Sequence, residues 1–367
     1  MSAGRKDVRD PGGYGGEDLR RRVGDRSQVV STREVRLTDG NEDGVRAIDV
    51  RVAGGLSALV LADRGLDLGP AWVLGQPLAW QSSTGIVAPA HFDETAWLRS
   101  FHGGLLVTCG LQNVGPACDD EGIRHGQHGR ISHIPARNVT HRVVEEAGRL
   151  VAEVAGEVRE TDVYGNDLVL HRRLRFPAGE PVVEVRDEVE NRGYAPAILM
   201  LLYHVNIGWP VVDASARLLA PPADVIPLNA DSAAALADHA SFVPPEEGIA
   251  PMVFEHRLAD RAATRASIAI VNPAYAPTDG IGVSVEYDPR ELPRLWQWRM
   301  LRPGLYLTGL EPGTGGMRGR AEERAAGPLL TLAPGERRPS GVTIRALTGP
   351  ALAEHVRAHG AATTGSR

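Results

Sequence analysis

The chain predicts an all-β, mainly antiparallel fold, either a large sandwich or a barrel. Three observations carry this expectation: apolar side chains recur with period two along many short runs, Gly and Pro punctuate the gaps between runs, and stretches of helical period are scarce. The clearest runs are 168–176 and 183–190. In the first, Leu168, Leu170, Leu174 and Phe176 share one parity, interrupted by Arg172, with Val169, His171, Arg173 and Arg175 on the other. In the second, Val183, Val185 and Val189 alternate with Glu184, Arg186, Glu188 and Glu190. The intervening FPAGEP is turn chemistry, so the pair reads as an antiparallel hairpin with one wet face. Further strands are expected over 28–37, 47–52, 58–61, 105–109, 149–159, 197–203, 267–271, 282–287, 295–300, 306–310 and 342–347. A short helix over 232–239 and a terminal one over 350–358 complete the set. No internal repeat of about 20–50 residues is visible, which disfavours propellers and solenoids. The expected organisation is a flexible N-terminal arm over 1–28, one β-sandwich domain over 29–350, and a short C-terminal helix and tail over 351–367.

Composition narrows the function. A chain of 367 residues with 43% apolar side chains can build one substantial core. Its 40 basic and 46 acidic residues leave a formal charge of −6, so it has no basic field for nucleic acid or an anionic membrane. The expected partner is a small molecule, and a homodimer is compatible with that. No run approaches the roughly 20 apolar residues that cross a bilayer, and the Arg-rich opening has no apolar export core, which points to the cytoplasm. Two cysteines, Cys109 and Cys118, are no disulfide framework and are expected to be reduced thiols.

Four places depart from ordinary sandwich composition. DRGLDLGP at 63–70 sets Arg64 and Asp67 around a glycine, which either caps a turn or points two polar groups into a cleft. The segment 97–136 holds His102, His125, His128 and His133 among many glycines, the pairing of polar rings and bare backbone that suits a ligand pocket, although solvated histidines beside turns would look the same. In LMLLYHVNIGWP, His204 shares the parity of Met200 and Leu202, so an imidazole stands in an aliphatic row, as a core residue or as a catalyst. Tyr203, Asn206 and Trp209 nearby supply a hydroxyl, an amide and a flat apolar face, the means by which proteins hold sugars. In GLYLTGLEPG, Glu311 follows an apolar strand and precedes Pro-Gly, at a strand end. There it is solvated surface or, if shielded, a general base.

Taken together, WLRSFHGGLLVTCGLQNVG, the HGRIS box at His128, LLYHVNIGWP and GLEPGT resemble the aldose 1-epimerase (galactose mutarotase-like) superfamily over about residues 30–350, and within it a bacterial aldose-epimerase-like branch. The resemblance implies a galactose mutarotase-like β-supersandwich, a carbohydrate substrate and carbohydrate epimerase activity without a cofactor. It matches His128, His204 and Glu311 to the family's two histidines and late glutamate around the anomeric carbon. It adds Arg64 and Asp67 as part of a hydroxyl-binding set with His102, Tyr203, Asn206 and Trp209. Where the family's second histidine usually follows an asparagine, Tyr203 precedes His204 and Asn206 follows it, and the family's substrate-binding aspartate has no counterpart.

The chemistry needs one base and one acid. Interconverting anomers removes the proton of the C1 hydroxyl while protonating the ring oxygen, and reversal after rotation about C1–C2 closes the other face. Glu311 is expected as the base and a resting, charged His204 as the acid, with His128 donating to the ring oxygen or a neighbouring hydroxyl. Two other classes compete. One is a metal-dependent sugar isomerase or lyase using His102, His125, His128 and His133 with Glu121, although the H-x-x-H-x-x-x-x-H spacing of the last three histidines fits neither H-E-x-x-H nor a close H-x-H pair. The other is a non-catalytic sugar-binding protein on the same scaffold.

Overall fold

The computed structural model describes residues 13–260 and 262–364, with no account of side chains beyond 359. Three antiparallel sheets dominate. An eight-stranded sheet runs in the order Arg217–Leu219, Ala266–Asn272, Ile281–Tyr287, Arg337–Thr348, Val182–Asn191, Asp167–Pro177, Arg149–Thr161, Arg137–Glu146. A six-stranded sheet runs Ala223–Pro227, Met252–Leu258, Arg294–Arg302, Leu305–Gly313, Met200–Ile207, Val107–Leu111. The third, five-stranded, is built from 30–77. The hairpin expected at 168–190 forms with Leu170 opposite Val189 and Leu174 opposite Val185.

One main core joins the sheets. It takes Leu170, Leu174 and Phe176 from the first, Tyr203, Val205 and Leu310 from the second, and Ile48, Val50 and Leu68 from the third. Period-two alternation then leaves the opposite face of the six-stranded sheet for a second, separate cluster, which holds Cys109, Met200, Leu202, Trp296, Met300 and Leu307. That second face carries the site described below.

Several expectations change. Strands Asp67–Val73, Arg137–Glu146 and Met252–Leu258 were not foreseen. The first is almost wholly buried, the second has no fully buried residue and the third breaks alternation with three buried residues in a row, so none shows a clean apolar alternation. The turn reading of DRGLDLGP holds for 63–66, where Gly65 and Leu66 both take positive φ, before the chain enters the strand at Asp67. The supposed flexible arm is docked from residue 13 onward: a helix over Gly16–Arg20 buries Leu19, the Gly16 amide donates to Glu145 Oε1 at 2.9 Å, and Arg20 and Arg26 pair with the same carboxylate. Residues 1–12 of that arm lie outside the described residues. The terminal helix extends over Gly349–Thr364 and inserts Leu352 beside Ala269, Val271 and Leu347. The tail residues 365–367 lie outside the described residues.

The interruption at Arg172 has a structural cause. Its guanidinium is fully buried between two carboxylates, donating to Asp67 Oδ1 at 2.7 Å and to Asp187 through Nε and Nη2 at 3.0 and 2.7 Å. Tyr203 donates to Asp187 at 2.8 Å, and Thr108 donates to Asp67 through both its amide and its hydroxyl. Because these residues come from all three sheets, one polar network clamps the sandwich. Removing the cation would leave two carboxylates buried together, so Arg172→Met is expected to destabilise by about 3–5 kcal/mol, measured as a lowered urea midpoint. A loss under about 1 kcal/mol would show that the clamp is dispensable.

Candidate active site

The site is built across the second face of the six-stranded sheet. The registers Leu202 to Gly313 and Val205 to Leu310 set His204 directly opposite Glu311, while Trp296 pairs with Glu311 and Val107 with His204. One cross-strand row therefore reads Trp296, Glu311, His204, Val107. His204 Nε2 lies 3.2 Å from Glu311 Oε1. Gly309 makes room for this: a Cβ there would come 2.2 Å from Glu311 Oε1 and 3.2 Å from His204 Cε1.

His128 reaches the same place from a loop. It takes φ +53°, followed by Gly129 at +66°, and a Cβ on Gly129 would strike the Gly110 carbonyl at 2.2 Å. The loop is stitched to the sheet by Gly110 N–H donating to His128 O and His128 N–H to Gly115 O, both at 2.9 Å. His128 Nδ1 accepts from the Gly115 amide at 3.3 Å, which leaves the ring proton on Nε2. The His128 and His204 ring centroids are 6.1 Å apart.

Around these groups lies a cavity of about 510 Å³ walled by Trp80, Trp97, Phe101, Trp298, Met300 and Met317, with His128, His204 and Glu311 in its lining. Phe101 and Trp298 flank the His204 ring at 5.4 and 5.5 Å, and Trp97 stacks on Phe101 at 4.7 Å. Trp80 closes one side, its Nε1 donating to the Gly304 carbonyl at 3.2 Å.

This environment corrects the expected resting charges. Burial pushes the Glu311 carboxyl up from 4.5 to about 8. Burial, reinforced by the nearby His128, pulls His204 down to about 3, and burial alone lowers His128 to about 4. At neutral pH the resting pair is a carboxylic acid beside a neutral imidazole, and His204 carries no charge. Glu311 also lies within the strand Leu305–Gly313, fully buried, rather than at a strand end.

The remaining expected site residues are distributed differently. Tyr203 faces the main core, bonded to Asp187, because its parity is opposite to that of His204. Arg64 is fully buried and donates to the carbonyls of Ser132, Val87 and Ser100, with His133 Nε2 at 2.9 Å, so no donor turns to the cavity. Asp67 belongs to the Arg172 clamp. His102 is buried away from the lining, with neither ring nitrogen hydrogen-bonded. Asn206 shares the parity of His204 but lies buried behind Trp80, its amide donating to His204 O. Trp209 is 58% exposed and meets Tyr275 edge-on instead. Stacking surfaces come from Trp80, Trp97, Phe101 and Trp298, which the sequence reading did not assign. For all but Trp80 the signal was present in the WLRSF box and in the W-x-W-x-M alternation of 296–300.

The proposed metal cluster does not assemble. His133 stacks on Phe92 at 3.8 Å beside Arg64, His125 lines a different cavity, and Glu121 pairs with Arg324. Among the described residues no group of three or more His, Cys, Asp or Glu is arranged to hold a metal ion. No described helix is long and apolar enough to cross a membrane.

The raised Glu311 pKa links to stability with a definite sign. A carboxyl whose folded pKa is raised contributes stability that is complete below 4.5 and is lost as pH climbs through about 8. Between pH 5 and 9 the wild-type melting temperature should fall more steeply than that of Glu311→Gln, which has no proton to lose there. Parallel curves in a calorimetric pH series would refute the buried protonated acid.

Comparison with known proteins gives a consistent placement. No curated protein matches the sequence. Among solved structures, a candidate aldose 1-epimerase from Klebsiella pneumoniae superposes with TM-score 0.82 at 25% identity, over 89% of this chain and 86% of that one. A galactose mutarotase-like protein from Clostridium acetobutylicum gives 0.59 at 14% identity, over 88% and 100%. Galactose 1-epimerase from Lactobacillus acidophilus gives 0.55 at 13%, over 87% and 99%. The fold is thus the galactose mutarotase-like β-sandwich. A family profile described as "Domain of unknown function (DUF4432)" matches residues 42–346, most of the chain, and the protein belongs to that family.

Proposed function

We propose that the protein is a cofactor-independent carbohydrate epimerase that interconverts sugar anomers by acid–base ring opening. The observation that carries this reading is the contact of Glu311 with His204 at the floor of an aromatic cavity, with His128 in the same wall. A carboxyl and an imidazole side by side supply the acid and the base that hemiacetal opening requires.

A proton shifted from Glu311 to His204 across their 3.2 Å contact yields a carboxylate and an imidazolium with no change in net charge. Glu311 then removes the O1 proton as His204 protonates the ring oxygen. The C1–O5 bond breaks and C1 becomes a carbonyl. The pair is now acid and neutral imidazole, the form burial favours, so the open chain is accommodated while it rotates about C1–C2. Reversal on the other face closes the second anomer and restores each proton. His128, holding its proton on Nε2, donates to the ring oxygen or an adjacent hydroxyl. The indoles pack against the C–H face of the pyranose and exclude water.

The Klebsiella and Lactobacillus proteins, named as a candidate aldose 1-epimerase and a galactose 1-epimerase, are consistent with this chemistry. Glu311→Gln is expected to lower anomer exchange, followed by NMR magnetisation transfer over a panel of aldoses, by ~10²–10⁴-fold. A variant that keeps wild-type turnover, or a wild type that accelerates none of them, would remove the epimerase reading and favour a sugar-binding role. Gly309→Ala, which crowds the Glu311 carboxylate, should lower kcat by at least roughly tenfold while the thermal unfolding midpoint stays near wild type. Unchanged kcat in that variant would show that the carboxylate position is not critical.

A further inference from the structure

Substrate class follows from what the cavity walls lack. Among its lining residues there is no Lys or Arg, and the titratable groups are His128, His204 and Glu311. The arginines of the strand Arg294–Arg302, and the buried Arg64, are committed elsewhere. Arg299 is turned to the opposite sheet face and donates to the carbonyls of Asp238 and Ser241, Arg302 donates to Ile249 O, and Arg294 pairs with Glu255. Arg64 is spent on three carbonyls and His133. A carboxylate, phosphate or sulfonate on the sugar would find no cationic side chain among the lining residues to compensate it.

The lining is also polarised along the strands. Beyond the Glu311–His204 row, the registers give a row containing Trp298 and Gly309, then one containing Met300 and Leu307, each step roughly 7 Å along the sheet. Val253 and Pro251 extend this wall, which offers the part of the sugar remote from C1 apolar side chains and the Trp298 indole. Polar groups outside the reacting trio are those of Ser82, Ser83, Thr84 and Gln127 and the indole N–H groups of Trp80, Trp97 and Trp298; the Thr84 hydroxyl is already engaged with Ser82, Gly85 O and Phe101 O, the Trp80 indole with Gly304 O, and the Trp97 indole is buried. We place C1 at Glu311 and the C5 substituent against Trp298 and Met300, the wall richest in apolar side chains. A hydroxymethyl group there loses its water partners without replacement, whereas a methyl group gains contact.

We infer that this cavity takes an uncharged aldose with an apolar C6 end, of the 6-deoxyaldose class; the inference rests on the epimerase reading for the orientation of C1. The test uses two series that differ only at C6: glucose, 6-deoxyglucose and glucuronate, and galactose, 6-deoxygalactose and galacturonate. Binding is read from the fluorescence of the cavity indoles, and anomer exchange is read separately by NMR. In at least one series the 6-deoxy sugar should bind about tenfold or more tighter than its parent hexose, and the uronate at least about a hundredfold more weakly than the 6-deoxy sugar. Uronate binding within tenfold of the 6-deoxy sugar, equal binding of the parent hexose, or no binding of any of the six would overturn the inference. Selective binding without exchange would uphold the ligand class and refute the epimerase reading. Exchange without discrimination at C6 would do the reverse.

Discussion

The buried Arg172 clamp is the constraint on which the remainder of the architecture rests. One guanidinium holds Asp67 from the five-stranded sheet and Asp187 from its own eight-stranded sheet, while Tyr203 and Thr108 bring the six-stranded sheet into the same network. A buried ion triad is a costly way to gain stability. It is, however, an effective way to define geometry, since the three sheets can satisfy all the charges in only one mutual arrangement. Tyr203 and Thr108 lie on the strands that carry the row containing His204 and Val107, so the clamp anchors the back of the catalytic face.

On that face, ordinary sheet geometry does the positioning. Residues directly opposite on adjacent strands have their side chains in contact, and this register makes Glu311 and His204 such a pair. Gly309 leaves the volume the carboxyl occupies, and the aromatic walls remove water, which is why burial brings both members of the pair toward their neutral forms. The same dehydration that makes proton exchange between them chemically useful leaves the cavity without a counter-ion for a charged sugar.

Much of this was legible residue by residue. Period-two alternation identified most long strands, and Arg172 stood out as a break in an apolar row. The assignments of His128, His204 and Glu311 came from short boxes whose order along the chain matched a known family, and the three do share one cavity. The binding set fared worse. Tyr203 and Trp209 adjoin His204 in sequence, yet strand parity turns the first to the core and the strand's end carries the second to the surface. Arg64 and Asp67 looked like ligand contacts because they are polar at a strand end; their charges are used inside the protein instead.

The sequence by itself determined the β class and the hairpin at 168–190, and its short boxes singled out the three side chains that share the cavity, because these depend on local periodicity and on residue type. Only the tertiary structure decided which aromatics wall the cavity, that burial pushes the Glu311 carboxyl up and the His204 imidazole down, and that no arginine lines the cavity. Those properties are set by strands that pair across hundreds of residues, and the dielectric and the partners of a side chain exist only once those strands have met.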